Sequence, residues 1–279
     1  MLIFTSVREI RHWLDRHADG RTVGFVPTMG ALHSGHISLI EESKLECSLT
    51  VCSIFVNPAQ FNDPRDLALY PRTYEADVTM LAESGTDLLF FPSVEEIYPH
   101  DFVPVEVDLG GLELGMEGMH RPGHFAGVIR VVHRLLDIIR PHRLFMGQKD
   151  LQQFTIIRRM IDQLGMAVQL VVCPIAREYN GLAMSSRNRR LSAEGRAVAG
   201  LIYQSLLFGK TKKPTLSPAE TAAACLEKLR QPGFTPEYFE IVDPGTLQPV
   251  NHWPETGRSC VACTAVWLEG VRLIDNEFY

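Results

Sequence analysis

The chain has 279 residues, 46% of them hydrophobic and 22% charged, enough apolar content to build a sizeable core and too much for a disordered chain. Lys plus Arg number 27 and Asp plus Glu 33, a formal charge of −6. That balance argues against a protein whose main task is gripping nucleic acid or an anionic membrane, although a local basic pocket stays open.

The length fits about two domains at roughly 150 residues each. The start, MLIFTSVREIRHW, offers only four apolar residues before charges begin, too few for the core of a secretory signal. Residues 22–26 predict a short apolar strand. Residues 35–47 predict a helix, with Ile37, Leu39 and Ile40 at helical spacing. The β-branched run at 49–56 reads as a second strand, 73–84 as a helix and 86–91 as a third strand. Residues 124–140 carry Phe125, Val128, Val131, Val132, Leu135, Leu136, Ile138 and Ile139, a broad apolar helical face. A short strand at 144–146, a helix at 150–164 and a strand at 168–173 follow. Strand and helix alternating in this way predict βαβ units and a parallel sheet, an α/β architecture. The uncharged stretch 22–40 is long enough to cross a bilayer, but Gly24, Pro27, Gly30, His33, Gly35 and His36 interrupt it. No spanning helix is predicted there, and a soluble, cytoplasmic protein is the expectation.

After residue 176 the pattern changes. Ser192 is a candidate N-cap for a long helix, and GKTKKPTLSP (209–218) reads as a loop. A helix at 219–230 and strands at 238–242, 260–268 and 271–274 close the chain. This predicts two domains, 1–176 and 177–279, the second a smaller α+β domain. Six cysteines, at 47, 52, 173, 225, 260 and 263, are scattered without a secretion signal and read as buried free thiols. Cys260 and Cys263 form a CxxC pair, but no second pair or histidine cluster completes four zinc ligands, so the pair reads as part of a buried strand.

The most informative segment is VPTMGALHSGH, residues 26–36. It follows a strand and opens a helix. Glycines let the backbone approach a ligand closely, and the helix N-terminus offers N–H groups and partial positive charge to a phosphate. His33 and His36 flank the turn, and either imidazole can donate to phosphoryl oxygens as charge develops. A dinucleotide fingerprint does not fit: no GxGxxG follows the first strand, and no acidic residue closes the second.

Seven motifs in this order, PTMGALHSGH (27–36), SIFVNPAQF (53–61), YPRT (70–73), RPGHFAGV (121–128), GQKDLQQ (147–153), MSSRN (184–188) and RLIDN (272–276), carry a resemblance. Over nearly its whole length the chain resembles the pantothenate synthetase (pantoate–β-alanine ligase) family of the HxGH nucleotidyltransferase superfamily. The resemblance implies a Rossmann-like parallel sheet with helices on both faces, plus a smaller α+β C-terminal domain acting as a lid, hinged near 174–184. It implies ATP-dependent condensation of pantoate with β-alanine to pantothenate, AMP and pyrophosphate, through a pantoyl adenylate. Making AMP the leaving group activates a carboxylate that is otherwise a poor acylating agent, leaving the protein to position reactants and stabilise charge.

The resemblance also assigns roles. His36, His33 and Lys149 are the catalytic residues. ATP is expected along Met29, Gly30, Ala31, Leu32, His33, Ser34, Gly35 and His36, along Gly147, Gln148, Lys149 and Asp150, and at Ala176, Met184, Ser185, Ser186 and Arg187. Lys149 neutralises phosphate charge, Asp150 accepts from ribose hydroxyls, Ala176 contacts adenine through its backbone, and Ser185, Ser186 and Arg187 hold the outer phosphates. Gln60 and Gln153 hold pantoate, Gln60 also meets β-alanine, and Gln152 faces solvent. An amide suits pantoate because it both donates to a carboxylate and pairs with hydroxyls. Asn57 and Tyr70 line the pantoate or β-alanine side. Arg121, His124 and Arg130 lie near the site, with packing or ion pairing as the alternative. Many family members have Glu where Gln148 stands. Magnesium is implied by ATP chemistry, held by phosphates and water with no protein ligand. A homodimer is likewise implied, with small-molecule substrates and neither nucleic acid nor membrane as partner.

Other readings of the HxGH element remain. A transferase acting on a phosphorylated small molecule fits the Gln60 and Gln153 amides less well. A tRNA-charging enzyme calls for a basic anticodon-reading module, which is missing. A binding-only descendant predicts a broken motif, yet His33, His36, Gln60, Gln153, Lys149 and the SSR triplet are all in place.

Overall fold

In the computed structural model, which describes residues 1–62, 64–255 and 259–279, the N-terminal half alternates strand and helix. Its elements are β1 (Leu2–Phe4), α1 (Val7–His17), β2 (Val23–Thr28), α2 (Ser34–Glu46), β3 (Leu49–Ile54), α3 (Pro64–Leu69), α4 (Tyr74–Glu83) and β4 (Leu88–Phe90). There follow α5 (Val94–Ile97), α6 (Met116–His120), α7 (His124–Ile139), β5 (Arg143–Gly147), α8 (Leu151–Gln163) and β6 (Gln169–Cys173). The remainder comprises α9 (Ala193–Val198), α10 (Leu201–Lys212), α11 (Pro218–Leu229), β7 (Phe234–Val242), β8 (Val261–Leu268) and β9 (Val271–Phe278).

Six strands form one parallel sheet in the order β1-β4-β3-β2-β5-β6. From β2 the chain winds outward through β3 and β4 on one side, then returns to place β5 and β6 on the other. The winding direction therefore reverses between β2 and β5. In open parallel sheets ligands bind outside the carboxyl ends of the strands at such a reversal. β3 is buried along its whole length and β2 at every residue but Pro27, as expected for strands covered on both faces. Val26, Ile54, Leu81, Leu89 and Phe145 meet in the core of this unit. Burying one such side chain stabilises by about 1.5–3 kcal/mol. The other sheet is antiparallel, in the order β7-β8-β9, and packs Val266, Leu268 and Leu273 with Ile202, Leu206 and Leu229. The expected class, an α/β parallel sheet plus a smaller α+β part, is what forms.

The chain divides into two compact units: Met1–Gly110 with Arg121–Gly147 and Ile156–Cys173, and Gly111–His120 with Gln148–Thr155 and Pro174–Tyr279. Cys173 closes the first unit's last piece close to the expected boundary at 176. The two inserted pieces differ from a single cut, and polar contacts explain them. Glu117 pairs with Arg272 at 2.6 Å and accepts from the Tyr238 hydroxyl at 2.9 Å, and Asn276 holds the 148–149 backbone.

Several local expectations need correction. β1 and α1 form where only a non-signal start was read, because β1 completes its hydrogen bonds on β4. The segment 209–218 is not all loop: α10 runs through Lys212. Gly209 lies inside this helix, at a point where a Cβ would collide with the Tyr279 hydroxyl. The long helix after Ser192 is two, α9 and α10. Ser192 caps α9 as expected, its hydroxyl accepting from the Gly195 N–H. The Asn180 side chain takes the carbonyls of Arg196 and Ala197 at the break. Gln152 does not face solvent. It is 3% exposed and donates to the carbonyls of Leu112 and Gly115 at 2.7 and 3.0 Å. All six cysteines are free; Cys263 lies in β8 and Cys260 just before it, and burial raises the thiol pKa of both, keeping them protonated. Among the described residues no helix is long and apolar enough to cross a membrane; the stretch 22–40 forms β2, a loop and the start of α2.

Candidate active site

β2 ends at the reversal point of the parallel sheet, and the HxGH loop springs from it. Thr28 ties the loop to β3, donating its hydroxyl to the Ser53 carbonyl at 2.7 Å and accepting from the Gly30 N–H at 3.2 Å. Gly30 (φ +77°) and Ala31 (φ +50°) both adopt the left-handed region, which costs a non-glycine residue about 1 kcal/mol or more. The buried carboxylate of Asp77 holds this turn. It accepts from the Ala31 and Leu32 N–H groups, both at 2.8 Å, and from the Thr73 hydroxyl at 3.0 Å. A cavity of about 260 Å³ opens beside the turn, lined among others by Met29, Phe55, Arg72, Tyr74 and Asp77.

His33 precedes the first turn of α2. Its carbonyl accepts from the N–H groups of His36 and Ile37 at 2.8 and 3.2 Å. Its own N–H donates to His36 Nδ1 at 3.3 Å. In neutral His36 this leaves the proton on Nε2, so the ring presents an N–H donor. The two imidazoles lie 4.0 Å apart, centroid to centroid, tilted by 40°. Two half-buried donors at a helix N-terminus on a fixed loop suit a phosphoryl group gaining negative charge.

The expected pantoate side is built in the same unit. Gln60, 9% exposed, sits in a 3-10 turn after β3 and donates through Nε2 to Met29 Sδ at 3.0 Å. Asn57 orients it, donating to Gln60 Oε1 and to the Gly127 carbonyl, each at 3.1 Å. Asn57 Oδ1 in turn accepts from the Tyr98 hydroxyl at 2.9 Å. His124 Nδ1 lies 2.7 Å from the Gln60 carbonyl, so His124 braces the turn that carries Gln60. Helix α7 comes close enough here that a Cβ on Gly127 would collide with the Ala59 carbonyl oxygen. Tyr70 is buried and edge-on to Phe61, its ring centroid 5.7 Å away. Burial pushes the Tyr98 phenol up to about 12, so it remains a donor to Asn57.

Arg121, Arg130 and Gly147 also belong to the first unit, whereas Gln148, Lys149, Asp150, Gln153, Ala176 and 184–187 belong to the second. Lys149 Nζ lies 3.4 Å from Asp150 Oδ1. The Ala176 carbonyl accepts from the Met184 N–H at 2.9 Å, so the 176 and 184 backbones are paired. Ser185 opens a 3-10 turn, accepting from the Arg187 N–H at 3.3 Å, with Ser186 buried just inside it. Gln153 is half-buried at the start of α8, beside the buried Gln152. The structure thus gathers His33, His36, Met29 and Gln60 in one unit, and Lys149, Asp150, Gln153, Ala176 and 184–187 in the other. Two holding residues escaped the sequence reading. Asp77 sits in the first turn of α4, where acidic residues are common, and Asn276 lies in RLIDN, used only as a landmark. Among the described residues no cluster of three or more His, Cys, Asp or Glu is placed to hold a metal.

Comparison with known proteins now decides the family. The family model for pantoate-beta-alanine ligase matches residues 2–278. The chain belongs to that family. It is 47% identical to the pantothenate synthetase of Porphyromonas gingivalis over 281 residues, spanning 100% of this chain and 99% of that protein. It is 45% identical to the pantothenate synthetase of Cytophaga hutchinsonii over 282 residues, covering 99% and 98% of the two chains. The crystal structure of the Thermus thermophilus pantothenate synthetase superposes with a TM-score of 0.92 at 43% identity, covering 99% of each chain. The pantoate-beta-alanine ligase of Francisella tularensis, solved with β-γ ATP and β-alanine, gives a TM-score of 0.82 at 34% identity, covering 99% and 97%. The resemblance carried by the seven motifs is borne out, and with it the ligase class.

Proposed function

We propose that this chain joins pantoate to β-alanine in two steps on one enzyme, first forming pantoyl adenylate and pyrophosphate from pantoate and ATP. The observation that carries this reading is the His33–His36 pair, fixed on a strained loop where the parallel sheet reverses. As the pantoate carboxylate attacks the α-phosphorus, negative charge grows on the phosphoryl oxygens. Oriented imidazole donors stabilise that charge more than they stabilise the ground state. Gln60, locked by Asn57 and packed against Met29, offers its amide to pantoate and then to β-alanine, and Gln153 is the second pantoate amide. The β-alanine amine then attacks the acyl carbon, the bond to the AMP oxygen breaks, and pantothenate and AMP leave.

Lys149, Ser185, Ser186 and Arg187 take the phosphates, and Asp150 the ribose. Two cations and two hydroxyls are donors matched to phosphoryl oxygens, not ligands for a divalent cation. Magnesium bound with the nucleotide would therefore be held by phosphates and water rather than by these residues, and would supply charge neutralisation. The same family reading supports a homodimer and a cytoplasmic location; analytical ultracentrifugation tests the first.

The deciding experiment follows pyrophosphate and AMP release from purified protein supplied with ATP and magnesium. Pantoate alone should release about one equivalent of pyrophosphate per site and no AMP, and β-alanine should then start steady AMP release. Pyrophosphate release that waits for β-alanine would overturn the adenylate order.

A further inference from the structure

Asn276 lies on β9, an edge strand of the three-stranded sheet, yet only 1% of it is exposed. Its amide is spent on a segment far away in sequence. Nδ2 donates to the carbonyls of Gln148 and Lys149 at 3.0 and 2.9 Å, and Oδ1 accepts from Gln148 Nε2 at 3.1 Å. Those two carbonyls precede α8 and have no place in a helical ladder. One short side chain that caps both of them fixes the peptide planes on either side of Lys149, and with them the direction of its Cα–Cβ bond. Only an amide does this at that length: it brings two donors on one nitrogen and an acceptor beside them.

Asn276 is itself held. Its N–H donates to Asp275 Oδ1 at 2.8 Å. Asp275, 3% exposed, receives both arms of Arg177 at 2.7 and 3.0 Å. Arg177 also donates to the Gly181 carbonyl at 3.0 Å and lies over the Tyr203 ring, 3.6 Å from its centroid. With Nδ2 facing two carbonyl oxygens and Oδ1 facing an N–H donor, the amide has one orientation. A buried fork of this kind is stiff because each group would lose charge-assisted bonds by turning.

We propose that Asn276, anchored by the Asp275–Arg177 pair, is the positioning residue for Lys149, setting the lysine where it meets the phosphates during adenylation. This rests on the reading of Lys149 as the phosphate-facing cation. Asn276 touches no substrate and acts through the lysine's backbone.

A double-mutant cycle tests it, with kcat and the KM for each substrate measured on the intact chain. Asn276→Ser removes both donors and leaves the Asp275–Arg177 pair. It should lower kcat by about tenfold to a hundredfold, the scale of a misplacement of about 1 Å, with the KM for pantoate and β-alanine within about threefold. In a Lys149→Ala background the same substitution should cost less than about twofold, because the group it positions is gone. An equal loss in both backgrounds overturns the proposal while sparing the role of Lys149. A Lys149→Ala enzyme as fast as its parent overturns the role of Lys149 itself, and the proposal with it. If Lys149→Ala is too slow to time, a crystal structure of Asn276→Ser decides: a displaced Lys149 backbone supports the proposal, and an unmoved one overturns it. Asn276→Asp, which keeps the size and puts a carboxylate against two carbonyls, repeats the test should the serine variant fail to fold. Failure of both to fold would make Asn276 a scaffold residue and overturn the proposal.

Discussion

Substituting Asn for Asp77 perturbs the HxGH loop with the least change in shape. In the native protein both carboxylate oxygens accept a main-chain N–H at 2.8 Å, from Leu32 on one and Ala31 on the other. An amide nitrogen placed at either position faces one of those N–H groups donor to donor. If it replaces Oδ1 the Thr73 hydroxyl can reverse and accept, but the Leu32 N–H loses its carboxylate acceptor; if it replaces Oδ2 the Ala31 N–H does. A buried hydrogen bond to a charged group contributes about 1.5–3 kcal/mol. At about 2–4 °C per kcal/mol for a chain of this order, the melting temperature should fall by about 3–12 °C. The loss has a second effect, since Ala31 stays in the left-handed region only while the surrounding bonds over-determine it. As the turn relaxes, His33 and His36 move with it, and a shift of about 1 Å costs up to about a hundredfold in rate. Calorimetry and AMP release on the same preparation read both effects. A melting temperature within about 1 °C of the parent together with kcat within about twofold would refute the reasoning.

His36→Ala should lower the rate of pyrophosphate release in a single turnover by about 10² to 10³, the scale for one lost transition-state donor, and leave the circular dichroism spectrum unchanged; an unaltered rate would remove His36 from the mechanism. Gly127→Ala forces a methyl group against the Ala59 carbonyl and should destabilise by about 1–3 kcal/mol, with a raised KM for pantoate because Gln60 follows Ala59. A melting curve matching the parent would show that α7 can back away from the turn. Tyr98→Phe should be less stable than the parent at neutral pH, having lost the bond to Asn57. Burial raises the folded phenol to about 12 from an ordinary value near 10, so the parent loses stability as pH rises through that window. The gap between the two proteins should therefore narrow between pH 10 and 12, and a gap that widens there would show the phenol is not held neutral.

How much of this could be read beforehand depends on the range over which each feature is determined. Strands β2, β3 and β6, the long helix α7 and the cap at Ser192 were legible because hydrophobic period and capping chemistry act over a few neighbouring residues. The catalytic candidates were legible for the same reason: strand, glycine turn, paired histidines and helix start all fall within residues 26–36. The strand at 2–4 was not, since three residues show no period and only the β4 edge makes them a strand. The helix end at Lys212 was missed because the Lys- and Pro-rich run 209–218 reads as a loop, whereas its first four residues continue α10, with Gly209 against Tyr279. Gln152 and Gln153 could not be told apart by type; the carbonyls of Leu112 and Gly115 decide which of them is buried.

The ligase family was legible in the chain alone, because the candidate site residues cluster in short motifs whose types and order are specific. So was the parallel sheet covered on both faces, through the alternation of apolar strands and amphipathic helices. Tertiary structure alone decided what holds those motifs still. Asp77 reaches the HxGH turn from 45 positions away, and Asn276 reaches the Lys149 carbonyl from 127 away. No local pattern marks such residues, since a hydrogen bond between distant segments depends only on where folding brings two atoms to within about 3 Å.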